Sequence, residues 1–304
     1  MKHESWRVDQ LGEKPKRTWD EAALKWLRET GHKRSHLQDV KQVKWLQKYL
    51  SGRLLQDLTR DAIAEVAAIK CKDASPATAN RYLAMIRAIL RRAALEWEWI
   101  DKAPLIRLYP ESKRRVRWLH PEQVARLLQE LPAHLIDIVK FSLATGLRRR
   151  NVVDLEWSQV DLARSTAWIY ADQAKGGRDI HISLNATAMD VLTRQIGKHP
   201  ERVFTFRGRP INQVNTKAWK AALKRAGIKQ FRWHDLRHTW ASWLTQSGVP
   251  LNVIQEMGAW QSTEMVRRYA HLAPEQFGQH ARLLDKMLAG TSAAQSEREQ
   301  FIRG

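Results

Sequence analysis

The sequence predicts two domains: an all-helical N-terminal domain, then a mainly helical domain that contains a small antiparallel β-sheet. Apolar residues recur at helical spacing along most of the 304 residues, and 43% of the residues are hydrophobic, which is typical of a folded chain. Short runs of β-branched and aromatic residues replace the helical pattern between residues 155 and 184. Prolines and consecutive basic residues interrupt it near residue 110.

This interruption sets the domain boundary. Pro104 and Pro110 precede the basic run Lys113-Arg114-Arg115-Val116-Arg117, which is typical of an exposed linker. We therefore expect a basic N-terminal tail at residues 1–17, a helical domain at 18–110, a basic linker at 111–117, a second domain at 118–290 and a polar C-terminal tail at 291–304.

Capping residues mark the start of each helix in the first domain. Thr18 and Glu21 match a capping box, and Ser35, Thr59 and Ser75 precede the next three apolar stripes. The second helix is expected to bury the stripe Leu37, Val40, Val43, Leu46 and Leu50. The first domain is therefore predicted to contain four helices.

The fourth helix carries arginines on the side away from its apolar stripe, at Arg81, Arg87, Arg91 and Arg92. A solvated helix face is often charged without any further role. Basic side chains on one face also suit contact with phosphates. From the residues alone, both interpretations stay open.

The charge balance favours a polyanionic partner. Lys and Arg number 52 against 32 Asp and Glu, a formal net charge of +20. The sequence has no apolar run of about 18 residues and no secretion signal, so we expect a cytoplasmic protein without a membrane span. Cys71 is the only cysteine, which excludes an internal disulfide, and its apolar helical context predicts a core thiol.

The second domain begins with two helices that lead to a tight turn. His120-Pro121-Glu122 starts the first helix, and residues 135–143 form the second. The second helix ends at Thr145-Gly146-Leu147-Arg148, where Gly146 allows a turn that directs Arg148 away from the helix into a cleft.

A β-hairpin is the simplest interpretation of the next segment. Thr166–Tyr170 and Asp179–Leu184 are its two strands, with Ile180, Ile182 and Leu184 on the buried face. Lys175, followed by Gly176-Gly177, would lie at the mobile tip, and taken alone it is typical of an ordinary exposed turn. Further helices are predicted at residues 187–196 and 212–226.

Residues 233–271 place several polar side chains at short, fixed spacings. Leu236, Trp240, Trp243 and Leu244 recur at helical spacing and predict one buried stripe, and Gly248 ends that helix. His234 and Arg237 are then expected on the opposite face, as surface neighbours that converge on one small anionic group.

Two shorter helices are predicted after it. One covers residues 250–257, and Ser262 or Thr263 caps the other, which carries Met265 and Val266 inward with Tyr269 just beyond. A last amphipathic helix is expected over residues 277–288.

The motif H-x-x-R, a Gly-Ala-Trp turn and Tyr269 nine residues after Trp260 resemble the catalytic C-terminus of the tyrosine recombinases, the phage integrase family. Thr145-Gly146-Leu147-Arg148 is similar to the motif of the family's first catalytic arginine, and Lys175 to its hairpin lysine. The resemblance implies a catalytic set of Arg148, Lys175, His234, Arg237, Trp260 and Tyr269.

The resemblance also implies the role of each catalytic residue. Tyr269 would attack a DNA phosphate, the two arginines would stabilise the charge that grows on its oxygens, and His234 would donate or accept a proton. Lys175 would protonate the departing 5′ oxygen. Trp260 stands where many relatives have a second histidine, which suggests packing and hydrogen bonding.

One position departs from the family pattern. Relatives usually carry an acidic residue three positions after the first arginine, and this chain has Asn151 there. In this chain, other groups must therefore provide the support that the acidic residue gives to the arginine in relatives.

The family resemblance further implies a site-specific recombinase that integrates or excises a prophage or mobile element. Its partner would be duplex DNA with a specific target site, clamped between a helical core-binding domain and the catalytic domain. It would act as a homo-tetramer on two DNA sites through a four-way junction. The sequence shows no Asp, Glu and His cluster at metal-ligand spacing, so we expect chemistry without a metal and no cofactor. DNA-bending or directionality proteins are further candidate partners. The expected DNA-binding residues are Arg81, Arg87, Arg91, Lys113, Arg114 and Arg115.

Two other functions stay open. A type IB topoisomerase shares the nucleophile and the arginine pair, and would relax plasmid without sequence preference. A non-catalytic DNA-binding regulator is the other, because residues 251–270 resemble a helix-turn-helix, but it would need neither Arg148, Lys175 nor Tyr269.

Overall fold

The computed structural model describes residues 16–111, 116–174 and 176–273. The chain divides into two compact units, Met1–Arg114 and Arg115–Gly304. Several sequence predictions lie outside the described residues: most of the N-terminal tail, Lys113, Arg114, Arg115, Lys175, the helix at 277–288 and the C-terminal tail.

The first unit contains the four predicted helices. They are α1 (Trp19–Glu29), α2 (His36–Leu50), α3 (Arg60–Asp73) and α4 (Pro76–Leu95), with a 3-10 turn at Leu55–Asp57. Large side chains from all four helices close one core, among them Trp19, Leu46, Ile63 and Ile89, each at most 1% exposed.

The predicted caps explain where these helices begin. The Thr18 hydroxyl accepts a bond from the Glu21 amide while the Glu21 carboxylate accepts one from the Thr18 amide, so the capping box is present. The hydroxyls of Thr59 and Ser75 cap α3 and α4 in the same way. Ser35 precedes α2 without a side-chain cap bond.

Two details of the first unit differ from the predictions. Leu37 is 77% exposed and Val40 is 37% exposed, so the buried stripe of α2 starts only at Val43. Helical periodicity identifies an apolar face, but it does not tell how far along the helix a neighbour covers that face. Cys71 is half-buried rather than in the core, and its thiol contacts the Tyr109 hydroxyl.

The second unit is mainly helical, as the sequence predicts. Its helices are α5 (Pro121–Glu130), α6 (Ala133–Thr145), α7 (Arg149–Val153), α8 (Ala186–Thr193), α9 (Lys217–Arg225), α10 (Asp235–Gln246), α11 (Leu251–Met257) and α12 (Glu264–Arg267). Short 3-10 turns lie at Trp157–Gln159 and Ala270–Leu272.

The predicted hairpin is present and belongs to a three-stranded antiparallel sheet. β2 (Thr166–Ile169) pairs with β3 (Ile180–Ser183), and β1 (Val160–Asp161) pairs with the other edge of β2. Ile180 and Ile182 face the core as expected. The mixed fold class predicted from the sequence is therefore confirmed.

A second, two-stranded sheet was not predicted. It joins β4 (Thr205–Phe206) to β5 (Arg209–Pro210). Strands of two residues are too short to show the alternation on which a sequence prediction depends.

The helix α10 is enclosed by the protein on nearly all sides. Eight of its twelve residues are buried, including polar Thr239, Ser242 and Thr245. Thr239 and Thr245 donate their hydroxyl hydrogen bonds to carbonyls one turn earlier on the same helix, which satisfies them without solvent. Two of these three buried hydroxyls are therefore satisfied within the helix, while the Ser242 hydroxyl has no hydrogen-bond partner among the described residues.

No helix in the described part of the chain is both long and apolar enough to cross a membrane.

Candidate active site

The turn after α6 delivers Arg148. The helix ends at Thr145, and Gly146 follows with a left-handed φ of 63°. A Cβ atom on Gly146 would lie 2.2 Å from the Trp240 ring of α10, so the two helices approach closely only because this residue is glycine. Arg148 then stands in extended conformation immediately before α7.

Arg237 of α10 is buried, which corrects the prediction of a surface residue. It is 4% exposed, and its guanidinium donates one hydrogen bond to the Gly146 carbonyl at 2.7 Å and another to the Gly258 carbonyl. No local sequence pattern indicates this burial, because the two carbonyls that satisfy the guanidinium come from distant turns.

Arg148 is held in a similar way. It is half-buried, and its Nη2 donates to the Ala259 carbonyl at 3.2 Å. Within the described residues, no carboxylate forms an ion pair with Arg148 or Arg237. Backbone carbonyls thus support the arginine pair, while Asn151 is buried and its side-chain nitrogen has no hydrogen-bond partner among the described residues.

Trp260 covers the Arg237 guanidinium. The Arg237 Cζ atom lies 3.9 Å from the centre of the Trp260 ring, a cation–π contact. Trp260 also stacks on Trp240, with ring centres 6.0 Å apart and an interplanar angle of 27°. Trp260 therefore packs against both Arg237 and Trp240.

The turn at residues 258–260 needs glycine at its first position. A Cβ atom on Gly258 would lie 2.0 Å from the Trp260 ring. Gly258 and Ala259 also supply the carbonyls that hold Arg237 and Arg148. One short turn thus fixes both guanidiniums and the ring that covers one of them.

Tyr269 follows α12 and is fully buried, with its ring centre 6.0 Å from that of Trp260. Val266 is buried on the inner side of α12 as predicted, but Met265 is 38% exposed and the prediction that it points inward is wrong. Val266 faces the core from α12, while Met265, one residue earlier, is turned toward the outer side of this short helix.

His238 is the residue that the sequence interpretation missed. Its Nδ1 lies 2.5 Å from the Tyr269 hydroxyl, and its ring centre lies 5.1 Å from that of His234. His238 is four residues after His234, so the two lie on one helix face. This four-residue spacing is visible in the sequence, and it indicates that His238 lies beside His234.

The structure brings together four of the six predicted catalytic residues in direct contact or through shared turns: Arg148, Arg237, Trp260 and Tyr269. His234 stands immediately before α10. Partial burial of its imidazole lowers its pKa, and the positive charges of Arg237 and Arg148 act in the same direction. Lys175 lies outside the described residues.

Burial and mutual repulsion define the electrostatics of the site. Burial, reinforced by the charge of Arg148, lowers the pKa of Arg237 to about 9, and burial also lowers the pKa of Arg148. Burial raises the pKa of the Tyr269 hydroxyl to about 12, although Arg237 and Arg268 act in the opposite direction. At neutral pH the site therefore holds two cations and a protonated phenol.

Such a site is suited to an anion with several oxygens. Two guanidiniums that lack carboxylate partners are stabilised when a negative charge binds between them. Because Arg237 is buried, hydrogen bonds from its guanidinium to that anion are stronger than they would be at the surface.

The predicted DNA-binding arginines of the first unit differ in their surroundings. Arg81 and Arg91 are exposed and Arg87 is half-buried, and none of the three has a carboxylate partner among the described residues. Arg92 is paired with Glu29 and Glu96 at 3.1 and 2.9 Å. The positive face of α4 is therefore carried by three arginines, while the charge of the fourth is largely compensated.

Comparison with known proteins identifies the family. The sequence profile of the phage integrase family matches residues 117–276. The integrase of Salmonella phage P22 is 42% identical, and the match covers 96% of this chain and 86% of that protein. The integrase of Escherichia phage 186 is 29% identical over 68% of this chain and 60% of its own length.

Solved structures share the fold. The Tn1549 transposon integrase in complex with transposon right-end DNA superposes with a TM-score of 0.74 at 18% identity, covering 90% of this chain and 100% of that one. A lambda integrase dimer bound to a core site gives a TM-score of 0.69 at 18% identity, covering 84% and 95%.

The family profile covers more than half of the sequence, and the P22 integrase is similar along nearly all of it. The chain therefore belongs to the phage integrase family and is a tyrosine recombinase, an enzyme that transfers DNA strands.

Proposed function

We propose that this protein is a site-specific DNA recombinase that cuts and rejoins duplex DNA through a 3′-phosphotyrosine at Tyr269. The observation that carries the proposal is the pair of uncompensated guanidiniums, Arg148 and Arg237, beside a buried tyrosine hydroxyl. A phosphodiester fits between two such cations, and a phenol beside it is a suitable nucleophile.

The chemistry follows from these positions. As the Tyr269 oxygen attacks phosphorus, negative charge grows on the non-bridging oxygens, and the arginines stabilise that charge without having to reorganise. The energy of the broken bond is retained in the phosphotyrosine, so the strand can be rejoined without an external energy source.

The remaining predicted residues complete the proposal. His234 hydrogen-bonds the attacked phosphate from the entrance of the site. Lys175 protonates the departing 5′ oxygen, which is otherwise a poor leaving group. Trp260 fixes the orientation of the Arg237 guanidinium through the stacking contact.

The biological role that we propose is integration or excision of a prophage or mobile element in the cytoplasm, by a homo-tetramer acting on two DNA sites through a four-way junction. Support comes from the phage integrases that the sequence matches, and from a lambda integrase structure described as a tetramer bound to a Holliday junction. The +20 net charge and the basic face of α4 suit a duplex DNA partner.

The proposal can be tested by trapping the covalent intermediate. The target site is first located by mapping protein–DNA adducts across the genome of the source cell, and a nicked duplex of that sequence is then used as a suicide substrate. We expect a denaturant-resistant adduct with the wild-type protein, none with Tyr269→Phe, and normal adduct with Tyr170→Phe, a matched change at an exposed tyrosine.

An adduct that persists in Tyr269→Phe would end the assignment of the nucleophile. Relaxation of plasmid with no preference for a site would instead indicate a topoisomerase activity.

A further inference from the structure

His238 contacts the oxygen atom that the proposed reaction requires as nucleophile. It lies on α10 directly after Arg237, it is half-buried, and its Nδ1 is 2.5 Å from the Tyr269 hydroxyl. Among the described residues, no other side chain hydrogen-bonds to that hydroxyl. Any role of His238 in activating Tyr269 rests on the proposed function, because it requires that Tyr269 is the nucleophile.

The surrounding charges decide which partner donates this hydrogen bond. The charged and titratable groups that act on His238 are His234, Arg237, Arg232 and Arg268, with Asp235 acting on Tyr269. Burial, with these positive charges, lowers the pKa of His238 to about 3, so its ring is neutral at pH 7.

The pKa of the Tyr269 hydroxyl is shifted in the opposite direction to that of His238. Burial raises the pKa of the Tyr269 hydroxyl to about 12, so it retains its proton at pH 7. A neutral imidazole has one ring nitrogen that accepts. The phenol therefore donates to Nδ1, and the ring proton of His238 is on Nε2.

We propose that His238 is the general base that takes the proton of Tyr269 during strand cleavage and returns it during strand rejoining. In cleavage, the bond from the Tyr269 oxygen to phosphorus forms, the phenolic proton moves to Nδ1 of His238, and the bond from phosphorus to the 5′ oxygen breaks. The 5′ oxygen takes its proton from a separate acid. In rejoining, a 5′ hydroxyl gives its proton to the conjugate base of that acid and its oxygen bonds to phosphorus, the bond from phosphorus to the Tyr269 oxygen breaks, and His238 returns the proton to the tyrosine.

The low basicity of His238 in the free protein does not prevent this step. A bound DNA phosphate introduces negative charge beside the imidazole and its cationic neighbours, which favours the protonated ring. The phenol also becomes more acidic as its oxygen bonds to phosphorus. Proton transfer is therefore favourable late in the attack, when charge develops, and unfavourable before DNA binds.

A purely structural role makes a different prediction. If His238 only orients the tyrosine, a residue that accepts the same hydrogen bond without taking up a proton should replace it. Asparagine is that residue, because its side-chain oxygen occupies a position close to Nδ1. If the contact instead restrains the tyrosine in an inactive arrangement, its removal should accelerate cleavage.

The first experiment compares His238→Asn and His238→Ala in single-turnover cleavage of the nicked duplex built from the mapped target site. General-base loss should slow both variants by about 100-fold to 10,000-fold, with site affinity within several-fold of wild type. Cleavage by His238→Asn within several-fold of wild type would overturn the proposal in favour of positioning. Faster cleavage by His238→Ala would overturn it in favour of restraint.

The second experiment removes the need for a base. A fluorinated tyrosine at position 269 has a more acidic phenol, so the penalty of His238→Asn should shrink by roughly tenfold or more relative to the same substitution with ordinary tyrosine. An unchanged penalty would overturn the proposal even if the first experiment agreed with it. This comparison also separates catalysis from misfolding, because a folding defect would not respond to phenol acidity.

The assignments of Tyr269 and His238 can fail separately. If the adduct persists in Tyr269→Phe, the proposed function itself is wrong. If the adduct requires Tyr269 but His238→Asn cleaves like the wild type, only the general-base assignment is wrong.

Discussion

Arg237 is buried, donates hydrogen bonds to two backbone carbonyls and lies against an aromatic ring. The planar guanidinium makes both kinds of contact possible. Lysine would keep the charge but could not donate to the carbonyls of Gly146 and Gly258 in the same fixed geometry. An arginine-to-lysine change at this position is therefore not conservative.

We expect Arg237→Lys to reduce single-turnover cleavage by roughly 100-fold or more, by analogy with the loss of an oxyanion donor, while site affinity stays within several-fold. Arg91→Lys, at an exposed arginine of α4, is the matched control and should cleave normally at saturating protein. Equal losses in binding and cleavage for Arg237→Lys would identify Arg237 as an ordinary phosphate anchor.

The pH dependence of stability provides a separate measure of the surroundings of His238. Its pKa is lowered to about 3 in the folded protein, mainly by burial, against an ordinary value of 6.5. Between these values the unfolded chain binds the proton more readily than the folded one. Stability is therefore full above pH 6.5 and decreases as the pH falls from 6.5 toward 3.

His238→Asn should remove this contribution. The free energy of unfolding of this variant is expected to fall less steeply than that of the wild type between pH 6 and pH 4. The two slopes should differ by at most about 1.4 kcal/mol per pH unit, and solvent screening of the half-buried imidazole makes the difference smaller. Urea titrations at several pH values measure the difference. His271→Asn, at an exposed histidine of the same unit, is the control, and identical slopes for wild type and His238→Asn would contradict the expectation.

At the scale of elements, the turn at residues 258–260 leaves no room for a side chain at Gly258. It supplies carbonyls to both guanidiniums, and the Trp260 ring occupies the space that a side chain on Gly258 would need. A single methyl group on Gly258 must displace the ring that stacks on Arg237.

Gly258→Ala should therefore lower cleavage by roughly tenfold or more and lower the melting temperature, since overpacking in a filled site typically costs about 1–3 kcal/mol. Gly31→Ala is the comparison, because a Cβ atom there meets only backbone oxygens at 3.5 Å or more. Melting curves of both variants, with cleavage rates for the first, provide the measurement. If Gly258→Ala melts and cleaves like the wild type, the ring moves freely and does not hold the guanidinium.

The elements also show what a sequence can and cannot predict. Caps and apolar spacing depend on residues three or four positions apart, so α1, α3, α4 and the β2–β3 hairpin were predictable. The burial of Arg237 depends on carbonyls 91 and 21 residues away, which no local pattern encodes. Leu37 matches the apolar spacing of α2 and is nevertheless exposed, because helical spacing does not reveal which part of an apolar face a neighbour covers.

The proposed catalytic residues rest on a different kind of observation. Their order and spacing resemble a family, and the resemblance assigned roles that chemistry alone would have left open for a lone arginine or tyrosine. His238 was not predicted because it lies outside the H-x-x-R motif, although it shares a helix face with His234.

At the scale of the whole molecule, binding and chemistry should be carried by different residues. The arginines of α4 that lack carboxylate partners suit phosphate contacts outside the proposed reaction site. Arg148 and Arg237 are held by backbone carbonyls at that site. Substitutions in the two groups should consequently alter different measured quantities.

We expect Arg91→Ala to weaken binding to the target duplex and to reduce the slope of log affinity against log salt by about one unit, because one phosphate contact and its released counterion are lost. Cleavage at saturating protein should stay unchanged. Arg92→Ala is the matched control on the adjacent residue, since Arg92 is paired with Glu29 and Glu96 and should leave the slope nearly as it is. Binding titrations over a range of salt concentrations measure both slopes. A reduced slope for Arg92→Ala with no change for Arg91→Ala would mean that DNA breaks the ion pairs and that the phosphate-binding face of α4 is centred on Arg92 instead.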